Sequence, residues 1–159
     1  TYGHDIGDEL IRAVAQRATE AGFTVALRSE QRWPQPGTRV FVVDTLGELA
    51  RFYACAGIAF VGGSLQAIGG HNLLEPAATA TAILSGPHLH NFADIAKRLR
   101  EAESMRVVDD AAALAAALQD LFTDEQARER MAANAHQLLQ AGRGALERTM
   151  ALIEPALPK

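Results

Sequence analysis

Ile58-Ala59-Phe60-Val61-Gly62-Gly63-Ser64 decides how the rest of this sequence reads. Four apolar residues run directly into a glycine pair, the mark of a short buried strand that stops abruptly. Working outward, similar runs lie at Phe23 to Leu27, Arg39 to Val43, Ala82 to Leu84 and Met105 to Val108. Helical spacing separates them. Ile6, Leu10, Val14 and Ala18 recur every fourth residue up to Gly22, after which the chain turns. Leu46, Leu49, Phe52 and Tyr53 predict a helix capped by Asp44 or Thr45. Asn72 to Ala80 predicts another, with Pro76 in its first turn. Phe92, Ile95, Ala96 and Leu99 mark a helix, and so do Leu114, Leu118 and Leu121 behind a cap at Asp109 or Asp110. Ala127, Met131, Ala135 and Leu138 share a face, with Arg128, Glu129 and Arg130 mostly solvated and Gly142 and Gly144 interrupting the pattern. A last helix is predicted from Ala145 to Ile153. Strands alternating with helices predict an α/β fold, a mainly parallel Rossmann-like sheet with helices on both faces. Ligands of such sheets lie outside the carboxyl ends of the strands, near a reversal of strand order.

The totals narrow the function classes. A chain of 159 residues fits one domain, and 48% hydrophobic residues supply a core without disulfides or metal. The net charge of -4, with Lys159 one of two lysines, lacks the basic stripe of a nucleic-acid binder. A small phosphate remains compatible, since loop amides can hold one without many lysines. The single cysteine, Cys55, excludes an internal disulfide and reads as core packing within its helix. No apolar run is long enough to cross a bilayer as a helix, and Thr1 reads as a cut rather than a natural beginning.

Two loops carry the chemistry. Gly62 and Gly63 let the backbone approach a ligand closely and Ser64 adds a hydroxyl, or the glycines serve only a tight turn. Gly69-Gly70-His71-Asn72-Leu73-Leu74-Glu75-Pro76 places an imidazole, an amide and a carboxylate at a helix start. The helix amides favour an anion, and Glu75 can accept two ribose hydroxyls or cap neighbouring amides. His71 and Asn72 can orient phosphate or fix the loop. His88 and His90, after Gly86-Pro87, can form a third wall. Nothing in the spacing supports metal binding by His71, His88 and His90. Asp44-Thr45-Leu46-Gly47-Glu48-Leu49 also joins a strand to a helix, where Asp44 and Glu48 either recognise a base or ribose or serve as a cap and a first-turn acid. Arg28 and Arg51 either offset phosphate charge or sit on the surface.

Taken together, DTLGEL (Asp44 to Leu49), FVGGS (Phe60 to Ser64), GGHNLLEPAA (Gly69 to Ala78), GPHLHNFADI (Gly86 to Ile95) and GRGALERT (Gly142 to Thr149) resemble the C-terminal half of the bacterial 3-deoxy-D-manno-octulosonic acid (Kdo) transferase family. The resemblance covers nearly all of the chain from Ala21 onward. It implies the C-terminal half of a two-domain GT-B glycosyltransferase: residues 1–159 form the nucleotide-sugar donor domain, with 143–159 a C-terminal helix and tail, and the N-terminal acceptor domain is absent. It implies an inverting transfer of Kdo from CMP-Kdo to a lipid A precursor, at the cytoplasmic face of the inner membrane, with membrane contact through the absent half. No cofactor or nucleotide-bound metal is implied. Gly62, Gly63 and Ser64 are expected near the donor phosphate. Gly69, Gly70, His71, Asn72 and Glu75 are expected around phosphate and ribose, with Leu46, Gly47, Glu48 and His88 as further donor contacts. The catalytic carboxylate base is expected in the missing half, so this domain alone is expected to be inactive. Two departures stand out. Tyr2-Gly3-His4 replaces a Pro-Arg-His segment, and Leu46 stands where methionine is common. The alternatives are another GT-B enzyme using a UDP-sugar, or a nucleotide-binding module without transfer chemistry.

Overall fold

The computed structural model describes residues 4–30 and 33–143. The chain divides into two compact units, Thr1–Leu49 and Ala50–Lys159, each considered by itself. The helix expected over Ala145 to Ile153, the GRGALERT stretch beyond Arg143 and Tyr2-Gly3 lie outside the described residues.

In the first unit, α1 (His4–Glu20) leads through a turn into β1 (Val25–Leu27), which pairs in parallel with β2 (Val40–Val42). The helix ends where its sequence says it must. Gly22 takes φ +83, and the Phe23 N–H donates to the Ala18 carbonyl at 3.0 Å, closing the last turn.

α2 (Leu49–Cys55) begins on the last residue of the first unit, and the second unit holds the rest of it with β3 (Ile58–Val61), α3 (Leu74–Ala78), β4 (Ala82–Ser85), α4 (Ala93–Glu101, entered through a short 3-10 turn His90–Phe92), β5 (Met105–Val107), α5 (Ala111–Thr123) and α6 (Glu125–Arg143). The sheet order is β3-β4-β5, all parallel, with Val61 opposite Ser85 and Ser85 opposite Val107. The order follows the chain, so the expected reversal is not found in this sheet. Every residue of central β4 is buried, as a strand covered on both faces requires. Its alternating side chains separate two cores. Ile83 packs with Leu73, Leu99 and Ala135, whereas Leu84 packs with Val108, Ala117 and Leu121. Helices therefore cover both faces, as the alternation of elements predicts.

Several local readings change. The helix expected to start at Asp44 or Thr45 starts at Leu49, because both side chains are engaged elsewhere in their own unit. Cys55, expected in the core, is exposed at the end of α2. Arg128 is not simply solvated: it donates to the Leu121 carbonyl at 3.1 Å and to Glu125 at 2.7 Å. Gly142 does not break α6, which runs through it to Arg143. Of the two aspartates offered as the α5 cap, Asp110 is the one that accepts from the Ala113 N–H, at 2.8 Å.

Candidate functional site

Val61 and Ser85 end neighbouring parallel strands, so the segments that follow them must emerge side by side. Ser64 joins them. Its hydroxyl donates to the Val61 carbonyl at 2.6 Å and accepts from the Gly86 N–H at 2.8 Å, while its carbonyl accepts from the His88 N–H at 3.0 Å. Ser64 is wholly buried. The expected hydroxyl contact with a phosphate is therefore replaced by an internal role, holding the two loops in register.

The second glycine segment closes on the first. The Gly70 N–H donates to the Gly63 carbonyl at 2.8 Å. Gly63 has φ +68, and a Cβ there would meet the His71 imidazole at 3.0 Å. Gly70 has φ +77, and a Cβ there would lie 2.6 Å from the Leu89 side chain. Both positions need glycine for conformation and for space together. Gly69 lies against Asn91 and His90, with the Asn91 N–H donating to the Gly69 carbonyl at 3.2 Å. Gly62 and Gly63 are half-buried, Gly69 and Gly70 buried, and His71 exposed.

Asn72 and Glu75 form the polar edge of this cluster. The Asn72 carboxamide oxygen accepts from the Leu74 N–H at 3.0 Å, and its Nδ2 donates to Glu75 Oε1 at 3.1 Å. Asn72 thus ties down the chain at the start of α3 and aligns the half-buried Glu75. The helix itself is shorter than expected: Leu74–Ala78 is 5 residues instead of the span Asn72 to Ala80. Thr79 bonds back to the Pro76 carbonyl at 3.1 Å and Ala80 takes φ +52, ending the helix early. So short a helix adds little macrodipole, and any anion here depends on loop amides.

Three participants escaped the sequence reading. Gly86 was seen only as a strand end, yet a Cβ on it would collide with the backbone of Ser64 and Leu65. Asn91 holds the Ile68–Gly69 backbone, its Nδ2 donating to the Ile68 carbonyl at 3.4 Å. Tyr53 was read as a helix-face residue. Burial and, second, the negative charge of Glu75 push its phenol above the ordinary value of 10.0. The Gly86-Pro87 dipeptide and the His90-Asn91-Phe92 tripeptide carry the only local signal for the first two. Nothing local marks Tyr53. His88 is exposed beside this loop, its N–H fixed to Ser64. Among the described residues, no group of three or more His, Cys, Asp or Glu could hold a metal ion.

The DTLGEL residues belong to the first unit. Asp44 accepts from the Ser29 N–H at 2.8 Å and from the Ser29 hydroxyl. Thr45 donates to Glu48, which also pairs with Arg28 at 2.8 Å. Arg28 is thus committed to Glu48, and the side chains expected as caps clamp the β1 and β2 ends together. Leu46 is 94% exposed, and Gly47 beside it has φ +80. Burial would raise the Asp44 pKa, but the Ser29 bonds, its own N–H and the Arg28 charge outweigh it and hold the carboxyl below 3.8. A depressed folded value means stability that is present above the unfolded pKa and is lost as pH falls through the folded one. Asp44→Asn is therefore expected to lower the urea midpoint near neutrality and to converge on the wild type as pH falls below the ordinary carboxylate range. A constant gap across that range would show that the charge is not what matters.

No family model matches the chain. It is 36% identical over 95% of its length to the 3-deoxy-D-manno-octulosonic acid transferase of Haemophilus influenzae, covering 36% of that protein. It is 37% identical to the Bordetella pertussis transferase of the same name, over 88% of this chain and 33% of the relative. The chain thus spans about a third of the length of these curated relatives. Among solved structures, the C-terminal CMP-Kdo binding domain of WaaA from Acinetobacter baumannii superposes with a TM-score of 0.78 at 29% identity, covering 83% of this chain and 69% of that one. No helix among the described residues is long and apolar enough to cross a membrane. In sequence and in fold, this chain matches the C-terminal domain of the bacterial Kdo transferases.

Proposed function

We infer that this chain is the donor-binding half of an inverting glycosyltransferase that moves Kdo from CMP-Kdo to a lipid A precursor. One observation carries the reading: the Gly70 N–H to Gly63 carbonyl bond at 2.8 Å, which folds two glycine segments into one cluster beyond the β3 and β4 ends. Half-buried backbone at Gly62 and Gly63 offers close approach to a phosphate, with the exposed His71 ring alongside. Glu75, aligned by Asn72, is suited to accept ribose hydroxyl hydrogen bonds. Gly69 and Gly70 shape the loop from beneath, and Ser64 holds it. His88 is a further donor contact in this proposal. Positioning the nucleotide and stabilising negative charge on the departing CMP are the work assigned to this half. The carboxylate base, the acceptor, and contact with the cytoplasmic face of the inner membrane belong to the N-terminal half. The isolated domain is expected to be inactive in transfer.

Calorimetric titration with CMP, CMP-Kdo, UMP, UDP and GDP tests the reading. Preference for the cytidine ligands is expected. Preference for UDP would favour a UDP-sugar enzyme, and absence of any nucleotide binding would end the proposal. Within it, Glu75→Ala is expected to weaken CMP binding about tenfold, the loss of roughly one charge-assisted hydrogen bond. Its urea midpoint should stay close to the wild type. Loss of stability at unchanged affinity would make Glu75 a structural residue.

A further inference from the structure

With 5 residues, α3 is too short to hold its own orientation, so its two ends decide where Glu75 stands. Asn72 ties down the amino end, as described above. The carboxyl end is tied by Thr81, which is wholly buried at the entry to β4. Its N–H donates at 3.0 Å to the carbonyl of Pro76, the residue after Glu75. Its hydroxyl donates at 2.8 Å to the carbonyl of Tyr53 in α2. One residue thus joins α3 to α2. With that proton committed, the Thr81 oxygen is left as an acceptor, and the Thr79 hydroxyl stands 2.9 Å from it. Thr79 also lies 3.1 Å from the Pro76 carbonyl, so its single proton serves both. Ala80, between the two threonines, takes φ +52, a conformation that costs any residue other than glycine. That turn brings the two hydroxyls together.

We propose that Thr81, supported by Thr79, is a positioning residue for Glu75: the two hydroxyls brace the last turn of α3 against α2 and so fix where the carboxylate stands. The use of that carboxylate by a ribose rests on the function proposed above, whereas the brace itself does not. A binding group must be held to within about 0.5 Å by neighbours that are themselves locked, and a five-residue helix has few. Nor are the hydroxyls there only to satisfy their neighbours. Without the Thr81 hydroxyl, the Tyr53 carbonyl keeps the Ala56 N–H at 2.9 Å, and Thr79 keeps the Pro76 carbonyl. Thr81→Val therefore orphans neither partner and should fold. What it removes is the tie.

Titrating the 159-residue chain with CMP and with 2′,3′-dideoxy-CMP tests the proposal. The wild type is expected to prefer CMP about tenfold, through the hydroxyl bonds assigned to Glu75. Thr81→Val is expected to cut that preference to about twofold at unchanged affinity for the dideoxy ligand, and Thr81→Ser to restore it. Added to Glu75→Ala, Thr81→Val should have no further effect, since both act through one carboxylate. Thr79→Val, at a half-buried position, should act in the same direction but less, and serves if the Thr81 variant does not fold. Full preference retained in Thr81→Val, or equal weakening of both ligands, would overturn the positioning role. Spectra of the ligand-free chain give a second readout. The Asn72 side-chain amide, bonded to Glu75 at 3.1 Å, should shift in Thr81→Val and return in Thr81→Ser. An unmoved amide would overturn the brace, with or without nucleotide binding. A wild type that binds both nucleotides alike, or neither, would instead remove the ribose role of Glu75, and the amide signal would still decide the brace.

Discussion

Gly86→Ala is expected to destabilise the second unit by about 3 kcal/mol, at the upper end of what overpacking does. The added methyl would press on the carbonyl carbon and oxygen of Ser64 and on the Leu65 nitrogen, all of them backbone atoms. A side chain could swing aside, but here two strand-end loops must separate. That separation would break the Gly86 N–H to Ser64 hydroxyl bond and the His88 N–H to Ser64 carbonyl bond together. Urea unfolding followed by far-ultraviolet circular dichroism measures the loss. Gly57→Ala is the control, because a Cβ there meets only the Arg128 side chain at an ordinary 3.5 Å. A Gly86 variant no less stable than the Gly57 one would mean that the loops yield easily, and the rigid frame assigned to the nucleotide cluster would be lost.

Ser64→Ala should follow closely, at about 2 kcal/mol. The hydroxyl is buried and both donates and accepts, so its removal strands the Gly86 N–H without its acceptor and deprives the Val61 carbonyl of a donor. An orphaned buried group is penalised by its full desolvation, well beyond the net worth of an average hydrogen bond. Ser85→Ala provides the comparison. Its hydroxyl is equally buried but reaches the Val61 carbonyl only at 3.4 Å, so its loss should be several-fold smaller. Parity between the two variants in a chemical-denaturation series would remove the reason for treating Ser64 as the fastener of the site. A fall in CMP affinity of the Ser64 variant at low urea would be secondary, through the loosened loop.

What the sequence made legible was whatever depends on neighbours a few positions away. The apolar run of β4, the Gly22 stop of α1 and the Asp110 cap of α5 each involve partners within five residues or simple burial. The glycine cluster was legible as two loops at strand ends, since strand periodicity fixes where a parallel strand must finish. What each residue does there was not. Ser64 is claimed by Gly86, 22 positions away, and Asp44 by Ser29, 15 away. Both side chains have the chemistry for a ligand or a cap, and only the folded chain reveals the competing partner. Thr81 likewise donates to the Tyr53 carbonyl at 2.8 Å across 28 positions, a bond that only the folded chain reveals. Gly142 shows the opposite failure: a residue with poor helix propensity is carried by the 19-residue α6 around it.

The exposure of Cys55 has a practical corollary for every titration described above. With one thiol in the whole chain, standing at the end of α2 two positions beyond Tyr53, a maleimide dye attaches at a single defined point with no engineering. Residues two apart on a helix face nearly opposite ways, so a fluorophore on Cys55 projects away from the side of α2 that carries Tyr53. The same accessibility lets two molecules couple through their sulfurs in air, and samples stored without reductant should gain a covalent dimer that owes nothing to biology.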